Sequence, residues 1–223
     1  EENRVLSETE SKHCIFSLRK KINDKIFITE GKGEIYSGII SEIKNNRVIY
    51  KNLSIQETEK RKINIHIAIA PTKNKARFEW FLEKSTEIGI DNISPLICEN
   101  SERKNINTER CEKILISAMK QSKSSILPKL NALISFRECI DKCKKNGYIA
   151  HCQNSKKQDF KHILNASKRI QTMTIFIGPE GDFSKKEITF AENTGIIPIN
   201  LSNKRLRTET AGIVACNMIN VVL

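Results

Sequence analysis

Short apolar β-type runs separated by turn signals mark the first sixty positions of this chain, and apolar strands alternate with segments of helical period after that. Residues 26–29, 35–40 and 48–51 read as short strands, parted by the turn signals Glu30-Gly31-Lys32-Gly33 and Asn45-Asn46. Short strands at this spacing predict a small β-barrel-like module. Before them, residues 11–21 fit a helix with Cys14, Ile15 and Leu18 on one face. From Ile63 the period changes. Ile63, Ile65, Ile67 and Ile69 alternate as a strand. Phe78, Phe81, Leu82, Ser85 and Ile88 then recur at helical spacing, and Gly89 supplies a helix stop. Strands over 93–98 and 147–152 and a helix over 108–122 continue the alternation to the end. This predicts an α/β domain with a mostly parallel sheet. The expected domains are 1–62 and 63–223, joined by a linker over 56–62, with no internal repeats and no low-complexity tracts.

The last fifty residues concentrate the candidate chemistry. A strand over 173–177 leads into Gly178-Pro179-Glu180-Gly181-Asp182-Phe183, and Ser184-Lys185-Lys186-Glu187 fits a capping box opening the next helix. Two glycines three apart suit unusual φ values and close approach of a ligand to backbone, while Pro179 stiffens the turn. Such a loop serves equally as a tight connection. It lacks the Lys-Ser/Thr pair of a P-loop and is not GxGxxG, so a nucleoside triphosphate or NAD site has little support. After a second strand over 196–201 comes Ser202-Asn203-Lys204-Arg205-Leu206-Arg207, immediately before a helix starting near Thr208. Cations at a helix N-terminus oppose its dipole, by about 0.3–1 kcal/mol each. Lys204, Arg205 and Arg207 together are therefore locally unfavourable unless an anion arrives, and free helix N–H groups beside them would complete a phosphate site. The competing reading leaves Lys204 and Arg205 solvated, with Glu209 offsetting part of the charge.

Composition narrows the classes. The 223 residues carry a net charge of +12, which points to an anionic partner, nucleic acid first. Lys outnumbers Arg by 27 to 11 among many Ile and Asn, a bias that AT-rich coding also produces. No apolar run approaches the roughly 20 residues that cross a bilayer. The acidic, polar start shows no signal or transit peptide, and the expected location is cytoplasmic. Seven scattered Cys, with no CxxC pair, argue against a disulfide framework and a zinc site and for buried free thiols.

GPEG at 178–181, followed by Phe183-Ser184 and Glu187, then Leu201 and Leu206-Arg207-Thr208-Glu209-Thr210-Ala211, resembles the ribosomal RNA small subunit methyltransferase E family. Those enzymes make 3-methyluridine in 16S rRNA and belong to the SPOUT, or trefoil-knotted, methyltransferases. The likeness runs in order along the chain. Lys84-Ser85-Thr86-Glu87-Ile88-Gly89 with Pro95 resembles the family's first helix–strand unit, and Ala118-Met119-Lys120-Gln121-Ser122 with Pro128 its second. Glu10-Ser11-Lys12-His13 with Leu18-Arg19 resembles the start of its N-terminal PUA-like RNA-binding domain.

The resemblance implies a deep C-terminal knot that periodicity could not suggest, since knots are nearly absent from proteins. It implies S-adenosylmethionine held in a bent form by Ile177, Gly178, Pro179, Glu180, Gly181, Leu201, Ser202, Leu206 and Thr208, largely through backbone groups. It also implies a homodimer completing each site, 16S rRNA of the small subunit as substrate, and no metal. The RNA side would comprise His13, Arg19, Lys84, Gln121, Lys204, Arg205 and Arg207. Arg207 is the candidate catalytic cation. Glu209 is the nearest carboxylate for a base, and equally an acidic first-turn residue suited to the helix dipole. Several positions depart from the family pattern. Asp182 and Ser202 stand where glycine is usual, Arg205 near where an apolar residue is preferred, Lys120 where Glu is common, and Ser124 near an expected Arg. Three rival functions stay in view. One is a non-catalytic RNA-binding or ribosome-assembly factor with the same fold. Another is a SPOUT methyltransferase acting on another RNA. The third, a phosphate-binding enzyme using GPEG as an anion nest, lacks acidic or metal-binding residues at useful spacing.

Overall fold

The computed structural model describes residues 4–58, 63–143, 146–166 and 170–223 of the chain. It divides into two compact units, Glu1–Lys60 and Arg61–Leu223. Of the expected linker, residues 56–58 belong to a strand, and 59–62 lie outside the described residues.

In the first unit, β1 (Arg4–Val5), β2 (Lys25–Thr29), β3 (Glu34–Lys44) and β4 (Arg47–Thr58) form an antiparallel sheet in the order β1-β4-β3-β2. Strands β3 and β4 outrun the sequence expectation because polar Ser41, Glu42 and Lys44 continue the alternation outside the apolar runs. Asn45 and Asn46, both at positive φ (49° and 59°), make the two-residue turn between them, a conformation Asn tolerates. Register shifts at three places along this pair bend it around Ile26, Ile40, Val48 and Tyr50. The expected helix over 11–21 starts earlier and stops sooner. Ser7 caps α1 (Glu8–Lys12), which widens into a π-helical turn over His13–Ser17. Cys14 is buried as predicted, but Leu18 lies exposed beyond the helix, and Arg19 takes a positive φ of 52°.

The second unit alternates strand and helix. Its strands are β5 (Asn64–Ile69), β6 (Asn92–Ile97), β7 (Lys129–Leu130), β8 (Ile134–Ser135), β9 (Gly147–Ala150), β10 (Gln158–Asp159), β11 (Thr172–Ile177) and β12 (Ile197–Asn200). Its helices are α2 (Lys75–Ile88), α3 (Thr108–Ser122), α4 (Phe136–Lys142), α5 (Phe160–Ala166), α6 (Lys185–Asn193) and α7 (Thr208–Val222). The sheet is parallel throughout, in the order β10-β12-β9-β11-β5-β6-β7, with β8 pairing β6. Period-two alternation in β5 decides the layers. Ile65, Ile67 and Ile69 face one core with Phe81 of α2 and Ile219 of α7, while Ala68 and Ala70 face another with Phe136 of α4 and Ile188 of α6. Gly89 ends α2 at φ 111°, as its position predicted. Gly212 lets α7 lie on α2, since a Cβ there would stand 2.7 Å from the Phe81 ring.

A polar network interrupts the second core towards the strand N-termini. His66 on β5 joins Thr174 Oγ1 (3.2 Å) and Ser94 Oγ (2.8 Å), and Asn131 Nδ2 donates to the same Ser94 oxygen (2.9 Å). Burial lowers the His66 pKa from 6.5 to about 4. The unfolded chain therefore takes up this proton as pH drops through 6.5, and the folded chain only near 4. Stability is lost across that window on acidification, by up to about 3 kcal/mol. Urea unfolding between pH 7 and pH 4 should show a shallower loss of stability in His66→Gln than in the unsubstituted protein. Parallel slopes would mean that His66 is not what acid attacks.

Candidate active site

Ligands of parallel α/β sheets sit beyond the carboxyl ends of the strands, and here the loops leaving β5, β6, β9 and β12 converge on the one that leaves β11. Lys73 N–H donates to Glu180 Oε1 (2.9 Å), and Asn100 Nδ2 donates to the carbonyls of Gly181 (3.2 Å) and Asp182 (3.0 Å). Cys152 N–H donates to Asp182 Oδ2 (2.8 Å), and the Thr208 hydroxyl to the Gly178 carbonyl (3.0 Å). The capping box of Ser184 and Glu187 opens α6 as expected, and Glu187 Oε1 also accepts from Glu99 N–H (2.9 Å). The loop is thus fixed from every side.

Its glycines serve by closeness rather than by φ. Neither Gly178 nor Gly181 is among the residues at positive φ, contrary to the conformational reading of the sequence. A Cβ on Gly178 would lie 3.1 Å from Phe183 N, and one on Gly181 3.1 Å from Asn100 Cβ. The left-handed residue is Asp182, at φ 63°. Asp tolerates this conformation, and its Oδ1 also accepts from Phe183 N–H (2.8 Å).

These loops enclose a cavity of about 400 Å³. Ile177, Gly178, Pro179 and Glu180 form one wall, and Leu201, Ser202, Leu206 and Thr208 another. Gly181 lies just outside the lining, held against Asn100. Lys204, Arg205 and Arg207 reach the same cavity with exposed side chains. Arg207 is the N-cap residue of α7 and makes no side-chain capping bond, so its guanidinium is not spent on the helix end. Glu209 goes elsewhere. It is 6% exposed, does not line the cavity, and stands 3.8 Å from Arg77 Nε of α2, with its Oε2 unpartnered among the described residues.

The remaining RNA-side residues are spread out. His13 and Arg19 are exposed at the two ends of the π-helical turn and the bend after it, in the first unit. Lys84 on α2 and exposed Gln121 on α3 do not line the cavity, and Lys84 Nζ is held by Glu83 (2.7 Å) and Glu87 (2.9 Å). Sequence reasoning passed over His151 and Cys152, which line the cavity because β9 stops at Ala150 instead of running to 152. The signal was available: a His directly after a parallel strand stands at the ligand end of the sheet. Five of the seven free thiols are buried as expected, whereas Cys152 is exposed. Among the described residues no cluster of His, Cys, Asp or Glu could hold a metal, and no helix is long and apolar enough to cross a membrane.

Known proteins share this arrangement. The family model described as an RNA methyltransferase domain matches residues 58–220, and one described as an RNA methyltransferase PUA domain matches residues 6–51. Ribosomal RNA small subunit methyltransferase E of Buchnera aphidicola (from Acyrthosiphon pisum) is 30% identical over 224 residues, covering 92% of this chain and 83% of its own. The protein of the same name from Mesomycoplasma hyopneumoniae is 28% identical over 198 residues, 86% and 84% of the two chains. A probable rRNA-methyltransferase from Porphyromonas gingivalis superposes with a TM-score of 0.86 at 34% identity, over 98% of this chain and 92% of that one. A Legionella pneumophila protein solved with bound S-adenosylmethionine gives 0.85 at 25% identity, over 99% and 92%. The fold is accordingly the expected one, a SPOUT-type trefoil-knotted methyltransferase domain behind an N-terminal PUA-like domain. With both units matched in order, and a relative at 30% identity across nine-tenths of this chain, the chain belongs to the ribosomal RNA small subunit methyltransferase E family.

Proposed function

We propose that this protein transfers a methyl group from S-adenosylmethionine to N3 of a uridine in the 16S rRNA of the small ribosomal subunit, in the cytoplasm. The observation that carries the reading is the cavity at the strand ends, with a backbone-lined wall on one side and Lys204, Arg205 and Arg207 on the other. The residues fit the cofactor. Gly178 brings main chain close, Leu201 and Leu206 are apolar, and His151 holds two unpartnered ring nitrogens at the lining. When bound, S-adenosylmethionine supplies an electrophilic methyl on a sulfonium. The chain supplies the rest. Orientation of the uracil against that methyl contributes up to about 7–11 kcal/mol in favourable cases. Loss of the N3 proton leaves charge on O2 and O4, which the Arg207 guanidinium is placed to stabilise. Glu209, paired to Arg77, steadies the first turn of α7 instead of taking that proton, and solvent is left as the acceptor. The base must leave its stack to reach the cavity.

The family name supports rRNA as substrate, and the net charge of +12 supports an anionic one. Asp182 bears on the rival of a dead cofactor site. Its carboxylate is bound to two main-chain N–H groups, so the substitution builds the loop. We also infer a homodimer, supported by Trp80, Ile116 and Val221, exposed on three helices of which α2 packs against both α3 and α7. Sedimentation should give a dimer that Trp80→Asp converts to monomer; a monomeric starting protein overturns this. The functional reading is tested by transfer of labelled methyl to small subunits lacking their native modification. The expected product is 3-methyluridine; no transfer, or another nucleoside, overturns it.

A further inference from the structure

The segment after β9 is tied down through its main chain and the Gln153 side chain, while the His151 ring is left without a partner among the described residues. Cys152 N–H is held by Asp182, and Gln153 Nε2 donates to the Phe183 carbonyl (2.9 Å). Lys157 Nζ donates to the carbonyls of His151 (2.9 Å) and Gln153 (2.8 Å). Four bonds therefore fix residues 151–153 against the GPEGDF loop and its own turn. Yet the His151 ring, 7% exposed, makes no hydrogen bond through either nitrogen among the described residues. Leaving a buried polar group unmatched costs about 1–3 kcal/mol, and native interiors rarely tolerate it without a purpose. The ring lines the cofactor cavity. An arrangement that immobilises a residue and withholds protein partners from its ring is pre-organised for a ligand.

We propose that His151 is a cofactor-recognition residue that hydrogen-bonds the adenosine part of S-adenosylmethionine, and that Asp182 is the positioning residue holding it there. The assignment rests on the cofactor reading given above. Burial, with Lys157 adding to it, lowers the His151 pKa, against the smaller opposing influence of Asp182 and Glu192, so the ring meets its ligand neutral. A neutral imidazole offers one donor and one acceptor. That pair complements adenosine, which carries donors and acceptors but no charge. The charged amino-acid tail is better matched by Lys204 and Arg205, which line the same cavity.

The test is calorimetric binding to the full-length chain of S-adenosylhomocysteine and of 5′-deoxy-5′-methylthioadenosine, which lacks the amino-acid tail. His151→Ala should weaken both ligands by about tenfold, the size of one hydrogen bond. His151→Asn, which keeps a donor and an acceptor, should recover part of that loss. Asp182→Gly, which retains the backbone conformation but drops the latch, should weaken both by a smaller factor. In the unsubstituted protein with 15N-labelled histidine, a ring nitrogen of His151 should shift on adding either ligand. Unchanged affinity in His151→Ala, or a ring signal that stays still, overturns the assignment alone. So does a loss confined to S-adenosylhomocysteine, which would put the contact on the tail. Failure of the unsubstituted protein to bind S-adenosylhomocysteine overturns the cofactor reading itself, a separate and recognisable result.

Discussion

Replacing Arg207 by Ala is expected to cut methyl transfer to the small subunit by about a hundredfold or more, with affinity for S-adenosylhomocysteine kept within about threefold. Arg207 reaches the cavity from the N-cap of α7 with an exposed side chain that makes no capping bond, so its removal leaves the helix end as it was. The backbone wall at Gly178 and the Thr208 bond to it are untouched. On the proposed mechanism what disappears is positive charge beside the developing uracil anion, and a group that acts on developing charge shows in turnover before it shows in ground-state binding. Lys in its place should restore part of the rate, because it keeps the charge and loses the planar fork. Equal losses in turnover and cofactor affinity would make Arg207 a wall of the pocket.

Removing residues 1–60 should weaken binding to the small subunit by about a hundredfold, and more steeply at low salt, while leaving S-adenosylhomocysteine affinity as it was. The unit has its own core around Ile26, Ile40 and Val48, and the second unit has two cores of its own. Its helix gives way to a π-helical turn and then to Arg19 in the left-handed region. Such irregularities gather where a surface has a task. They leave His13 and Arg19 exposed along one short stretch, with Lys12, Lys20 and Lys21 beside them. A filter-binding titration of the truncated and full chains on the same subunits separates the two cases. Unaltered RNA affinity would move recognition to the second unit.

Much of this was legible in the sequence. Period-two alternation predicts β5, continuous apolar runs predict β6, β11 and β12, and the spacing around Phe81 and Leu82 predicts α2, because burial on one face or on both leaves those patterns. The expected bounds 108–122 are those of α3, whose start Asn107 caps. Local pattern failed where the deciding partner is remote. Apolar spacing predicts one helix over 11–21 and cannot register the widened turn at 13–17. Lys84 is a local case: Glu83 and Glu87, its neighbours on α2, hold it. Glu209 looked close to the chemistry because sequence neighbours look close, but one helical position turns it from the cavity towards Arg77. Asp182 read as an intrusion, since the sequence shows a missing glycine and not the Cys152 N–H that takes its carboxylate. His151 was missed for a similar reason: a histidine without partners is visible only when its surroundings are.

The bonds that fasten the GPEGD loop tie residues 30 to 107 positions apart. No stretch of nascent chain contains enough of them to shape the cavity ahead of the rest. The GPEGD loop is made before the wall that Leu201, Ser202, Leu206 and Thr208 supply, and Thr208 closes the ring. During synthesis the site therefore waits for the chain up to Thr208, long after the first strands of the sheet have been made. A chain interrupted before Leu201 would keep every strand of the sheet and lack one wall of the cavity, so ligand binding reports that these long-range ties have formed.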